Sequence, residues 1–319
     1  MPFSVLKLLS AEAFRSGEEL ADSLGLSRAS VHNLVERARG LGVEVHAVRG
    51  RGYRLAEPCS WLDDARLGAA AGLGFNLMLR HEVDSTNSQL LGMAQAGQAH
   101  KSVLAAEWQS GGRGRRGRAW QSAPGGGLTF SLLWRFNRPL TALSGLSLAV
   151  GVALARGLRR LGLPGVGVKW PNDILIDDGK LAGILIETHG DMLSAATAVI
   201  GIGLNVRPPA VAPDEYRMAA MEEIAGRRFD RNELLLGLLA ELDVVLKGFD
   251  QQGFAPFRAE WQSLHAWQGL PVRVLGAGQE SFEGVAKGVD DTGVLIVATA
   301  DGLRAIHSGE VSLRLGGRA

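Results

Sequence analysis

Apolar residues at the start of the chain recur at helical spacing. Phe3, Val5, Leu6, Leu8 and Leu9 form one broad apolar face, Ser16-Gly17 interrupts it, and a second segment runs from Glu18-Glu19-Leu20 to a turn at Gly25. Ser27 is placed to cap a helix in which Val31, Leu34 and Val35 make a single buried stripe before Gly40. Two short helices joined by a glycine turn predict a helix-turn-helix. Val43-Glu44-Val45-His46-Ala47-Val48, the turn Arg49-Gly50-Arg51-Gly52 and Tyr53-Arg54-Leu55 then predict a hairpin, the wing of a winged helix.

Residues 58–64, with proline, serine and paired acids, read as a linker. Beyond them the pattern becomes α/β. Strands are predicted over 102–107, 128–134, 180–187 and 195–206, and a hairpin over 167–176. Residues 141–161 form a long small-residue helix and 232–249 a leucine-rich amphipathic one. From Leu270 onward short runs separated by turns at Gly276-Ala277-Gly278, Asp290-Asp291-Thr292-Gly293 and Ala300-Asp301-Gly302 predict a small β-barrel. The expected class is a multidomain α+β chain: a winged helix-turn-helix over 1–62, a mixed α/β domain over 63–269 and a small β-domain over 270–319.

Composition narrows the function. Of 319 residues, 46% are hydrophobic and 21% charged, which describes folded domains rather than a disordered chain. Lysine and arginine number 34 against 33 acids, so a net charge of +1 excludes a uniformly basic coat for nucleic acid and moves the question to local charge. The single cysteine, Cys59, excludes an internal disulfide or a cysteine-rich zinc site and fits a reducing compartment. No uninterrupted run reaches the roughly eighteen apolar residues of a bilayer span, so a cytoplasmic protein without membrane association is expected.

The local charge is uneven in two places. Between Arg28 and Arg54 stand six arginines and only Glu36 and Glu44; cations on the recognition helix and wing can neutralise phosphates, which makes Arg28, His32, Arg37, Arg39, Arg49 and Arg51 candidates for DNA contact. Residues 108–172 hold no acid but ten basic residues. Within them, Gly111-Gly112-Arg113-Gly114-Arg115-Arg116-Gly117-Arg118 alternates glycines, which let backbone amides approach a ligand, with fixed positive charge. The same run satisfies G-x-G-x-x-G, but no helix opens after it and no ribose-binding acid follows, so a dinucleotide fold is excluded. Lys169-Trp170-Pro171-Asn172-Asp173 ends the acid-free stretch, and Gly179-Lys180 opens the next strand. A lysine buried there demands a compensating anion, and Asp173 is placed to hold a cation or orient a base. His81, His100, His189, His265 and His307 lack metal-ligand spacing, so no protein-held metal is expected.

Asp84-Ser85-Thr86-Asn87, Gln109 with the arginine loop through Trp120, Lys169-Trp170-Pro171-Asn172-Asp173, and Gly179-Lys180-Leu181-Ala182-Gly183-Ile184-Leu185-Ile186-Glu187 together resemble the bifunctional biotin protein ligase and biotin operon repressor family, nearly end to end. Ser308-Gly309-Glu310-Val311-Ser312 resembles that family's carboxy-terminal SH3-like barrel. The resemblance implies joining of biotin to ATP as biotinyl-5′-adenylate, with Mg²⁺ entering on the nucleotide, and transfer of biotin to a lysine of the biotin carboxyl carrier protein of acetyl-CoA carboxylase. It also implies a homodimer on operator DNA. By the same resemblance Ser85, Thr86, Asn87, Gln109, Arg113, Gly114, Arg115 and Lys180 hold biotin; Arg115, Arg116, Arg118, Trp120, Lys169 and Asn172 serve ATP; and Lys180, Arg115 and Asp173 carry the chemistry. Two alternatives stay open on sequence, a lipoate-type acyl ligase and a ligand-sensing repressor without transferase activity.

Overall fold

A computed structural model describes residues 2–190, 194–208, 217–276, 281–309 and 311–316. The amino-terminal unit packs α1 (Pro2–Leu6), α2 (Gly17–Leu24) and α3 (Arg28–Gly40) against the hairpin β1 (Val45–Val48) and β2 (Gly52–Leu55). Ser16-Gly17, expected to separate the first two helical segments, does so as the start of α2: the Ser16 side chain accepts from Glu19 N while Glu19 reaches back to Ser16 N, a capping box. Gly25 leaves α2 with φ +63°, a conformation natural to glycine, and Ser27 caps α3 as expected. Phe3, Leu6, Leu20, Val31, Val35 and Leu55 close a core of their own, against which Trp61 and Trp108 pack from outside the unit.

After α4 (Asp64–Leu67), the central domain is built on seven strands: β3 (Asn76–Val83), β4 (Ser102–Gln109), β5 (Gly127–Arg135), β6 (Gly167–Lys169), β7 (Asp173–Ile176), β8 (Gly179–His189) and β9 (Thr197–Asn205). Their order is β3-β4-β5-β9-β8-β7-β6; only β3 and β4 run parallel. One face carries α5 (Thr86–Gln95); the other carries α6 (Leu146–Arg160) and, outside α6, α8 (Arg231–Gln252), with α7 (Met221–Ala225) and α9 (Arg258–Leu264) at the flank. The helix expected over 141–161 is broken at Gly145, whose φ is +78° and where a Cβ would stand 2.6 Å from Phe254. By length and composition the stretch Leu140–Arg160 is apolar enough to cross a bilayer, a feature missed by counting only unbroken apolar runs. It is a core helix: Leu148, Val150, Val152, Leu154 and Leu158 are buried among sheet and helix side chains.

The small carboxy-terminal domain is an antiparallel sheet of β10 (Pro271–Gly276), β11 (Phe282–Val289), β12 (Leu295–Thr299), β13 (Gly302–Ile306) and β14 (Val311–Leu315), in the order β13-β12-β11-β10-β14. The expected turn at 290–293 is an Asx turn, Asp290 Oδ1 accepting from the N–H groups of Thr292 and Val294. The expected turn residues Ala277 and Gly278, and Glu310 of the carboxy-terminal motif, lie outside the described residues. Val272, Ala286, Leu295, Val297 and Leu313 belong to the same hydrophobic core as the central sheet. Trp170 Nε1 donates to Gly293 O at 3.2 Å. The two domains therefore share one interior. Cys59, expected to be inert, is half-buried, and burial pushes its thiol up to about 11.

Candidate active site under the arginine loop

Every residue singled out above for biotin, ATP or catalysis lines one cavity on the α5 side of the sheet. The loop between β4 and β5 roofs it. That loop is a folded hairpin: Gly114 N donates to Arg118 O at 2.7 Å, Trp120 N donates to Gly112 O at 2.9 Å, and a single tight turn spans Arg115–Gly117 with Arg116 at φ +60°. No helix follows it, consistent with the exclusion of a dinucleotide site.

One end of the cavity is neutral and densely hydrogen-bonded. Ser85 caps α5; Thr86 donates through both its N (2.7 Å) and its Oγ1 (2.9 Å) to Gln109 Oε1. Ser131 Oγ lies 2.8 Å from Thr86 Oγ1 and 2.6 Å from Asn87 Oδ1. Asn87 Nδ2 in turn donates to Glu187 Oε2 (2.8 Å) and Leu185 O (3.2 Å). Both ends of the Asn87 amide are thus spent on the protein, so its part in the site is to brace the pocket wall. The floor is backbone. A Cβ at Gly201 would sit 2.2 Å from Asn87 Oδ1, and one at Gly203 2.2 Å from the Trp120 ring. Trp120 therefore lies flat on the sheet, its Nε1 buried and without a partner among the described residues.

The other end is cationic. Lys180 Nζ is 2.7 Å and Lys169 Nζ 3.4 Å from the carboxylate of Asp173. Burial by itself would raise the Asp173 carboxyl, but the charges of Lys180 and then Lys169, with their hydrogen bonds, outweigh it and hold the group below the usual carboxylate range. Burial pulls the Lys169 ammonium down, opposed by Asp173 and reinforced by Lys180; the group also stands 4.6 Å above the Trp267 ring. Arg115 crosses the mouth. It donates to Asn172 Oδ1 at 3.3 Å and to the carbonyls of Ser308 and Gly309 in the carboxy-terminal domain, and burial lowers its pKa against the pull of Asp173. Asn172 Nδ2 donates to Ile184 O, so this amide too acts by orienting a neighbour.

The remaining arginines divide. Arg113, expected to hold biotin, turns back to Ser88 Oγ at 2.6 Å and Glu187 at 3.6 Å, while Arg116 and Arg118 are exposed on the roof. Sequence reasoning missed Ser131, Glu187 and the carbonyls of Ser308 and Gly309. A hydroxyl on the same strand face as Thr129, two positions on in the otherwise apolar run of β5, signalled Ser131. Glu187 and Ser308-Gly309 stand in motifs quoted above, but their contacts with Asn87, Arg113 and Arg115 are tertiary.

On the amino-terminal unit Arg28, His32, Arg37, Arg49 and Arg51 are exposed, and Arg51 lies 4.5 Å over the Phe14 ring. Arg39 differs, for it donates to Glu36 Oε1 and to Val45 O, tying α3 to the wing.

Comparison with known proteins gives three family matches: the biotin/lipoate A/B protein ligase family over residues 80–205, the biotin protein ligase C terminal domain over 269–314 and an HTH domain over 3–54. The bifunctional ligase/repressor BirA of Salmonella typhimurium is 38% identical over 319 residues, 98% of each chain; that of Escherichia coli is 37% identical over 98% of this chain and 97% of its own. BirA of Bacillus subtilis is 33% identical over 94% of each chain. The biotin protein ligase from Aquifex aeolicus in complex with biotin and ATP superposes with a TM-score of 0.65 at 32% identity, covering 76% of this chain and 99% of that one. Likeness at this level along the whole chain, with all three domains matched, means that this protein belongs to the family of bifunctional biotin ligase/repressors.

Proposed function

We propose that the chain is an ATP-dependent biotin protein ligase that also represses transcription as a DNA-binding protein, with a winged helix-turn-helix over 1–62, a ligase domain over 63–269 and a carboxy-terminal domain over 270–319. The observation that carries the ligase reading is the polarity of the cavity. Its neutral end, built on Thr86, Gln109 and Ser131, suits a cyclic urea; its cationic end, built on Lys180, Lys169 and Arg115, suits a carboxylate meeting a triphosphate.

In the first step a carboxylate oxygen of biotin bonds to the α-phosphorus of ATP, and the bond to the bridging oxygen breaks with release of pyrophosphate. Two anions must approach. Lys180, held at 2.7 Å by Asp173, supplies the positive charge at the point where they join, and fixed cations of this kind are worth most where water is excluded. Arg115, Arg116 and Arg118 face the phosphates from the roof, and the Trp120 ring, flat on the sheet, offers the ligand a surface to stack on. Mg²⁺ carried by the nucleotide would supply further neutralisation of the triphosphate charge, and Asp173, committed to the two lysines, is not offered to it as a ligand. In the second step the neutral amine of a carrier lysine attacks the acyl carbon, AMP leaves, and the amine loses a proton. Until then the roof keeps water from the labile adenylate.

The acceptor is the biotin carboxyl carrier protein of acetyl-CoA carboxylase. Operator DNA is bound by a homodimer through α3 and the wing, and a cytoplasmic location goes with that set of partners. Incubation with ATP, an acceptor domain and either radiolabelled biotin or radiolabelled lipoate tests the ligase reading. Label from biotin on the acceptor lysine is expected. Transfer of lipoate alone, or of neither, would replace the reading with one of its two alternatives.

A further inference from the structure

Residues 57–63 connect the winged unit to the ligase domain, and a connection of this composition is normally a mobile one. Here each of the seven is held. Glu57 accepts from Arg228 (2.7 Å), Pro58 O from Arg207, and Ser60 from Arg231 through both its hydroxyl (3.0 Å) and its carbonyl (3.2 Å). Cys59 Sγ lies 3.8 Å from Gly125 O, at the exit of the arginine loop. Asn232 takes Trp61 O (3.0 Å) and Asp63 N (2.9 Å), and Glu107 Oε1 accepts from Leu62 N at 2.7 Å. Lys7, at the end of α1, reaches Leu62 O at 3.2 Å, so the strut is anchored from the DNA-binding side as well.

The centre of this arrangement is an ion pair sealed from water. Glu107 Oε2 and Arg231 Nη1 are 2.6 Å apart with side chains 0% and 1% exposed, while Arg231 Nε and Nη2 have no partner among the described residues. A pair so deeply desolvated, with donors left over, is a poor source of stability compared with apolar residues of the same volume. Two side-chain bonds to the strut, Leu62 N to Glu107 Oε1 and Arg231 Nη1 to Ser60 O, are what apolar residues could not supply; the bond from Arg231 N to the Ser60 hydroxyl is a backbone one. Neither residue lines the ligand cavity.

We propose that Glu107 and Arg231 are positioning residues for operator binding: they lock residues 57–63 into a strut that sets the direction of α3 and the wing relative to the ligase domain. The proposal rests on the repressor reading above. In a dimer, that direction fixes the separation of the two basic faces, and DNA half-sites tolerate little error in spacing.

The test is the full-length double variant Glu107→Leu with Arg231→Met, which keeps volume and removes the strut's charged partners. Hydrogen exchange across residues 57–63, operator affinity by fluorescence anisotropy with biotin and ATP present, and pyrophosphate release are measured together. Exchange and operator dissociation constant should each rise about tenfold, the worth of one charge-assisted hydrogen bond, with pyrophosphate release unchanged. Asn232→Leu, which removes two strut bonds and leaves the ion pair, should loosen the same segment by a smaller factor. Unchanged exchange overturns the proposal. So does faster exchange with wild-type operator affinity, and so does parallel loss of pyrophosphate release, which would make the pair a general element of the fold. A wild-type chain that failed to bind its own promoter would remove the repressor reading instead, while the exchange measurement would still decide whether the pair locks the strut.

Discussion

The chain has two arginine-rich regions, and the structure treats them in opposite ways. On α3 and the wing, Arg28, Arg37, Arg49 and Arg51 project from a small domain into solvent with no acid opposite them in an ion pair among the described residues. In the loop over the cavity, Arg113 is turned back to Ser88 and Glu187, and Arg115 to Asn172, Ser308 and Gly309. A long polyanion brings its own counter-charge along an extended surface, so its cations can wait exposed and gain from counterion release. A small anion held in a pocket must meet cations already aimed, and unpaired guanidinium groups at half-buried sites would be costly without interim partners. Arg28, Arg37, Arg49 and Arg51 are a solvated field, whereas Arg113 and Arg115 already hold assigned hydrogen bonds; Arg116 and Arg118, exposed on the roof, resemble the first group in exposure.

The largest way to break this contrast is Lys180→Ala. Removing a cation required as the bond forms should lower adenylate synthesis about 10²–10³-fold, as loss of one preorganised electrostatic group does, with the thermal melt little changed. Pyrophosphate release near the wild-type rate would refute the role given to Lys180. On the exposed side, Arg49→Ala with Arg51→Ala should weaken operator binding by up to about 30-fold, at about 1 kcal/mol for each exposed ion pair. It should also flatten the slope of log affinity against log salt by about 1.8, at about 0.9 per phosphate contact. An unchanged slope would mean that the wing does not touch the backbone. Adenylate synthesis should not respond.

Arg115→Gly cuts the bonds that tie the roof to Asn172 and to the carboxy-terminal domain. Retention of the adenylate should fall about tenfold, a modest number of lost charge-assisted hydrogen bonds, while synthesis slows less, and bystander lysines should become biotinylated. Labelling confined to the proper acceptor would contradict it. The smallest effect is expected for Glu187→Gln, which keeps an acceptor for Asn87 but removes the charge facing Arg113. The KM for biotin should rise about two- to fivefold, in line with a half-exposed ion pair, with kcat held. A fall in kcat alone would place Glu187 in the chemical step.

Much of this could be read without coordinates. The capped helices and wing and the strands of the central sheet follow from local pattern, because caps, periodicity and glycine turns act within a few residues of chain. The grouping of Ser85, Thr86, Gln109, Lys169, Asp173 and Lys180 in one site was implied only by the resemblance of their motifs to a known family. Local pattern failed where distant groups decide. Gly145 breaks the helix expected over 141–161, and the group packed against it, Phe254, lies more than a hundred residues away.

The sequence by itself determined which residue types exist to bind anions and in which segments they lie, since net charge and glycine content are properties of composition alone. Only the tertiary structure decided which of those charges are committed. Asn87 became a brace, Arg39 a tie to the wing, and Arg113 a partner of Ser88 and Glu187. The linker expected over 58–64 became, with Glu57, most of a strut over 57–63, since the Glu107 and Arg231 that hold it are brought from 45 and 171 residues away. Hydrogen bonds and buried ion pairs depend on distances of a few ångströms between groups far apart in the chain, and only the folded chain sets those distances.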